Sequence, residues 1–192
     1  MKGKQKMKLT QTNRQTADML TKNFTTMGDF DVIVSIVCPD DDSIKPINEN
    51  HLVVKMWDID KPLENKFRKY ELPSLVECHY ILNKITEWVM KDGWNINILI
   101  HCDVGISRSA AIALGIVWDL SLFFFNYEDN VKDIVLKEYM QARKEFCASL
   151  INTEHGSHFL KWYVEGKNLM RGVKPNQAIL AHYRKIFKYF PW

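Results

Sequence analysis

The stretch NILIHCDVGISRSAAIA, residues 97–113, decides how this chain is read. A short apolar run, Ile96 to Ile100, ends at His101 and Cys102, and a run of small and apolar residues begins near Arg108. The first reads as a buried strand and the second, SRSAAIALGIVWDL, as a helix packed inside the fold. Cys102 to Arg108 is then a seven-residue strand-to-helix loop with one glycine, Gly105.

Such a loop has a definite chemistry. Its consecutive backbone N–H groups can curl around one anion, and the helix behind it adds orphan donors and the positive end of its dipole. Gly105 permits a backbone path that a β-carbon would obstruct. Arg108 offers a planar fork suited to two phosphate oxygens. A helix N-terminus and a nearby Arg bring thiol pKa values down to about 3.5–7.5. Cys102 would therefore sit on the floor of an oxyanion cradle as a thiolate, placed to attack phosphorus and form a phosphocysteine. The cradle donors would stabilise the transition state. Ser109 is placed to hydrogen-bond the sulfur as it leaves, and His101 to orient the loop through the backbone. A buried Cys at a strand end explains Cys102 alone, but not the whole set H-C-x-x-G-x-x-R-S in this context.

Outward from the loop, DVIVSIVC (31–38) and HLVVKMW (51–57) read as strands. Residues 12–25 read as a helix. Ser74 and Glu77 have capping-box spacing before a helix whose stripe is Leu75, Cys78, Leu82, Ile85 and Val89. Further helices are expected near 128–146 and 176–190, the last with Ile179, Leu180, Tyr183, Ile186 and Phe187 on one face. Strands alternating with helices predict an α/β single domain over 1–192, with a mostly parallel central sheet flanked by helices. Ligands of such sheets bind beyond the carboxyl ends of the strands, where residues 101–108 lie.

Composition narrows the class. The 192 residues are 46% hydrophobic and 26% charged, as in an ordinary globular domain. A formal charge of +3 is too slight to argue for nucleic acid. The alternating Lys2, Lys4, Lys6 and Lys8 read as a flexible basic tail over about residues 1–10. No apolar run approaches the roughly 20 residues of a membrane span, and no apolar segment follows the basic start as in a signal peptide. Cys38, Cys78, Cys102 and Cys147 are widely spaced and read as reduced thiols in a cytoplasmic protein. Cys38 also ends a strand near the expected site, where oxidation could join it to Cys102.

The motif HCDVGISRS resembles the signature loop of cysteine-dependent protein tyrosine phosphatases, H-C-x5-R-S/T. Its ending, Ser107-Arg108-Ser109, is closer to the dual-specificity branch, and HCDVGISRSAAIA resembles small bacterial and viral members of it. The resemblance implies Cys102 as nucleophile and Arg108 as the phosphate-binding residue. It implies backbone amides from Asp103, Val104, Gly105, Ile106 and Ser107, assistance from Ser109, and a phosphatase fold. It implies no metal and no organic cofactor, and a phosphorylated protein or peptide as substrate. The family also uses a carboxylic acid to protonate the leaving group. MWDIDKP offers Asp58 and Asp60. Trp57-Asp58 with Pro62 is similar to the family's W-P-D-x-x-x-P loop without its first Pro, which favours Asp58 and leaves Asp60 as the rival. Pro175-Asn176 resembles the segment that opens the last helix in many members, where Asn176 would cap the helix or touch the loop.

Three other readings compete. A phospho-binding module would keep the cradle without turnover. A rhodanese-like sulfur transferase also uses a loop Cys, but the preceding His and trailing Arg-Ser fit a phosphatase better. Asp103 inside the loop would repel a polyanionic head group, against lipid substrates and RNA ends. His155 and His158 have a metal-like spacing without a second ligand pair and read as loop residues. Trp118, Phe123, Phe124 and Phe125 read as packing. The oligomeric state does not follow from any of these features.

Overall fold

The computed structural model describes residues 7–60, 63–64, 69–92, 96–125, 151–152, 174–187 and 190. In chain order the elements are β1 (Lys8–Asn13), α1 (Arg14–Leu20), β2 (Val32–Val37), β3 (His51–Lys55), β4 (Leu63–Glu64), β5 (Lys69–Tyr70), α2 (Leu75–Asp92), β6 (Asn97–Cys102), α3 (Arg108–Phe125), β7 (Ile151–Asn152) and α4 (Gln177–Ile186). Five strands form one parallel sheet in the order β3–β2–β6–β1–β7, and β4 pairs with β5 antiparallel. The fold is α/β, with helices on both faces of the sheet.

The largely apolar runs of β2 and β6 suit strands buried on both sides. Their side chains alternate between two cores. Val32, Val34, Ile36, Ile98, Ile100 and Cys102 join the larger core with α2, α3 and α4. Ile33 and Leu99 face Ala17 of α1, with Leu20, Phe24, Met27, Phe30 and Ile47 half-buried around them. The capping box of α2 is formed, Ser74 N donating to Glu77 Oε2 at 2.8 Å and Glu77 N to Ser74 Oγ at 3.2 Å. On α4, Ile179, Leu180 and Tyr183 are buried, as is Phe187 just beyond it.

Residues 8–25 depart from the sequence reading. Residues 8–10 belong not to a flexible tail but to β1, an interior strand between β6 and β7. KLTQTN has a single strongly apolar residue, so its polarity conceals it. Thr10, Gln11 and Thr12 are nonetheless buried, because strands pair with the backbone on both sides and Gln11 is bonded to the Cys102 loop. The helix expected over 12–25 is confined to Arg14–Leu20. Asn13 caps it, its Oδ1 accepting from Thr16 N at 2.8 Å. Beyond its end, Lys22, Asn23 and Phe24 take φ of +50°, +59° and +56°, a left-handed turn that cannot continue the helix. The helix expected near 128–146, Cys147, His155 and His158 lie outside the described residues. Among the described residues no helix is long and apolar enough to cross a membrane.

All five sheet strands point the same way, so Asn13, Val37, Lys55 and Cys102 end on one edge. β1 and β2 flank β6 on opposite sides, which opens a crevice at that edge.

Candidate active site

The loop after β6 closes back over β1. Gly105 has φ +75°, and a β-carbon there would lie 2.5 Å from Asn13 N and 2.7 Å from Asn13 Cα. Only glycine fits. From that position Gly105 N donates to Cys102 Sγ at 3.3 Å, and Ser109 Oγ lies 3.2 Å from the same sulfur. Gln11 Nε2 donates to Ser109 Oγ at 2.7 Å and to the Gly105 carbonyl. Since the Ser109 oxygen already accepts from Gln11, its own proton is free to point at the sulfur. Donors aimed this way stabilise negative charge on sulfur.

Arg108, the first residue of α3, is 2% exposed. Its Nη1 donates to the Met56 carbonyl at 2.9 Å and its Nη2 to Asp103 Oδ2 at 2.6 Å. Its Nε is buried without a hydrogen bond, 3.5 Å from Asp58 Oδ2. Burial works against the guanidinium charge. The Asp103 hydrogen bond and the negative ends of Cys102, Asp58 and Cys38 outweigh it and raise its pKa. Asp103 also lies 3.6 Å from Arg14 Nη1, and its carbonyl accepts from Arg14 N at 3.3 Å. Cys38 Sγ stands 3.7 Å from Arg108 Nη1, and burial pushes its thiol up despite that cation.

The two candidate acids part company. Asp58 Oδ1 accepts from the Ser107 hydroxyl and from Asn176 Nδ2, the latter at 3.2 Å, and its other oxygen faces Arg108. Asp60 Oδ1 accepts from Gln177 N at 2.6 Å, at the start of α4. Asn176 does both things its position suggested. Its Oδ1 caps α4 by accepting from Ile179 N at 3.1 Å, and its own N–H donates to the Ser107 carbonyl at 3.2 Å. Its Nδ2 also reaches the Ile59 carbonyl. One helix start thus clips the Asp58–Ile59 segment to the loop.

The structure brings together Cys102, Asp103, Gly105, Ser107, Arg108, Ser109 and Asp58. Val104 and Ile106 are exposed on the outer side of the loop. His101 is buried beneath it, its Nε2 2.6 Å from Ser35 Oγ, which lies 2.8 Å from His51 Nε2. Burial, helped by the neighbouring His51, holds His101 down to about 3, and burial holds His51 down to about 4. Sequence reasoning missed Gln11, Ser35, His51 and the Met56 carbonyl. No local spacing could have found them, because the contacts that place them join residues 16 to 98 positions apart.

No family model matches the chain, and no curated protein does. Among solved structures it is similar to the Cydia pomonella PTP-2 phosphatase, at TM-score 0.49 and 16% identity over 93% of this chain and 84% of that one. It is also similar to the human tyrosine phosphatase-like serine/threonine/tyrosine-interacting protein, at TM-score 0.43 and 16% identity over 91% and 84%. A third is human DUSP28, at TM-score 0.42 and 12% identity over 92% and 89%. What the site can do follows from its own geometry.

Proposed function

We propose that the chain is a cysteine-dependent phosphomonoester hydrolase acting on phosphotyrosine, and also on phosphoserine and phosphothreonine, in proteins or peptides. The observation that carries this is the sulfur of Cys102, flanked by the Gly105 N–H and the Ser109 hydroxyl at the mouth of a helix that begins with a buried arginine.

In this reading a phosphate dianion takes Arg108 Nε and the loop amides of 103–107. The Cys102 thiolate attacks phosphorus as the P–O bond to the substrate breaks. Asp58, in its protonated form, gives its proton to the leaving oxygen. Water then attacks the phosphocysteine with Asp58 as base. The sulfur departs with the Ser109 hydroxyl bonded to it, and inorganic phosphate is released. Asp60, engaged with the α4 backbone, is the weaker candidate for the acid.

The test is turnover of p-nitrophenyl phosphate in EDTA between pH 5 and 8, with Cys102→Ser, Asp58→Ala and Asp60→Ala alongside. Activity that ignores chelator, vanishes in Cys102→Ser and, in Asp58→Ala, loses the alkaline limb of its pH profile, where the acid deprotonates, is expected. One observation favours a second reading, a phospho-binding module: Cys102 is fully buried and Arg108 is already engaged by Asp103. Inert wild type whose Cys102→Ser variant binds phosphopeptide would establish that reading instead.

A further inference from the structure

We propose that His51 and Ser35 are positioning residues for the Cys102 loop: through a chain of buried hydrogen bonds they fix the proton of His101 on Nδ1, beside the Cys102 main chain.

The assignment follows from counting protons. The Ile47 N–H donates to His51 Nδ1 at 3.1 Å, so that nitrogen is bare. Burial keeps His51 neutral at physiological pH, and its one ring proton must then be on Nε2. That N–H points at Ser35 Oγ, 2.8 Å away. A serine oxygen that accepts from one partner has its single proton for another, and the other is His101 Nε2 at 2.6 Å. His101 is neutral for the same reason as His51, so with Nε2 accepting it carries its proton on Nδ1. His101 Nδ1 is buried without a hydrogen-bond partner, and the adjoining Cys102 backbone favours a proton on this ring.

The register explains why three strands co-operate. Ser35 and His101 are directly paired across β2 and β6, and His51 is paired with Ile33, the same-face neighbour of Ser35. All three side chains lie on the α1 face, opposite the face that carries the Cys102 side chain. Phe24 stacks on both rings, at centroid distances of 5.9 Å from His51 and 5.0 Å from His101. The rings are thus held in plane as well as in proton register. A tautomer flip at His101 would put its proton on Nε2 and leave the Ser35 hydroxyl proton without its acceptor, breaking the chain at the residue that precedes Cys102.

The kinetic consequence rests on the phosphatase reading, but the tautomers do not. Long-range proton–nitrogen correlation spectra of the full chain with labelled histidine read them directly. At pH 7 wild type is expected to show His51 with its proton on Nε2 and His101 with its proton on Nδ1. Ser35→Ala is expected to mix the His101 tautomers and to slow Cys102 alkylation by iodoacetate about three- to tenfold, the size of one lost hydrogen bond. Ser35→Thr, which keeps the hydroxyl, is expected to restore both. A His101 proton on Nε2, or a charged His101 ring, in wild type would overturn the proposal without any variant. So would a Ser35→Ala protein with unchanged tautomer and alkylation rate. Failure to turn over p-nitrophenyl phosphate, with these tautomers intact, would strike the phosphatase reading alone.

Discussion

At the scale of single residues, Asp103 and Gly105 set opposite limits on the cradle. Asp103 holds Arg108 Nη2 at 2.6 Å, the fork an incoming oxyanion needs. Removing its charge removes a built-in competitor. Asp103→Asn is therefore expected to lower the inhibition constant of inorganic phosphate by about three- to tenfold, since tenfold corresponds to about 1.4 kcal/mol. An unchanged or higher constant would mean that Asp103 is needed to aim the guanidinium. Gly105→Ala meets both a positive φ and the Asn13 backbone at 2.5 Å. It is expected to cost about 1–3 kcal/mol in urea unfolding and to abolish turnover. Ser109 gives a third test. With Gln11→Leu it loses the partner that turns its hydroxyl toward Cys102, so dephosphorylation of the intermediate should slow about tenfold. Rapid-quench measurements with a burst of p-nitrophenol would detect it. Cys102, Arg108 and Ser109 were legible in the sequence because one loop contains them. Gln11 was not, because its place under the loop depends on pairing two strands about ninety residues apart.

At the scale of elements, the start of α4 matters more than its length. Asn176 caps the helix and ties both Ser107 and Asp58. Asn176→Ala is expected to cost about 0.5–2 kcal/mol as a lost cap. It should also reduce turnover of phosphotyrosine peptide while leaving Cys102 alkylation near wild type, because only the acid segment is released. Deeper along the same helix, Tyr183 fits against α3 where Gly115 has no side chain. A β-carbon at Gly115 would lie 2.2 Å from the ring. Gly115→Ala is expected to lower stability by about 1–3 kcal/mol through overpacking, read as a fall in Tm. The capping box of α2 and the apolar face of α4 were visible as periodicity. β1 was not, since its polar side chains are satisfied by neighbours that no local pattern announces.

At the scale of the whole molecule, two buried imidazoles tie the fold to pH. Unfolded histidine takes up a proton near 6.5, whereas His51 and His101 in the fold do so only near 4 and 3. Within that window the unfolded state binds more protons, so stability rises with pH. It is fully present above about 6.5 and is lost as pH falls. Each ring contributes about 2 kcal/mol of loss between pH 6.5 and 5, at about 1.4 kcal/mol per pH unit. Urea titrations at those two values check this, and equal midpoints would show that the rings are charged in the fold. The α/β class and the place of the loop at the carboxyl edge were readable from the order of strands and helices. The depth of burial around the histidines came only from the sheet order. That order has a last consequence, in time rather than in space. β1 pairs with β6 and β7 alone, so on the ribosome it waits for about ninety further residues, on the order of five to twenty seconds of synthesis. Through that interval its backbone edge is bare and Gln11, Asn13 and Gly105 have not met. The nascent chain thus holds the surface that shapes the loop well before it holds the loop itself. Chaperones that shelter unpaired strands therefore have a natural window on this protein, and it closes when the strand bearing Cys102 slides in beside β1.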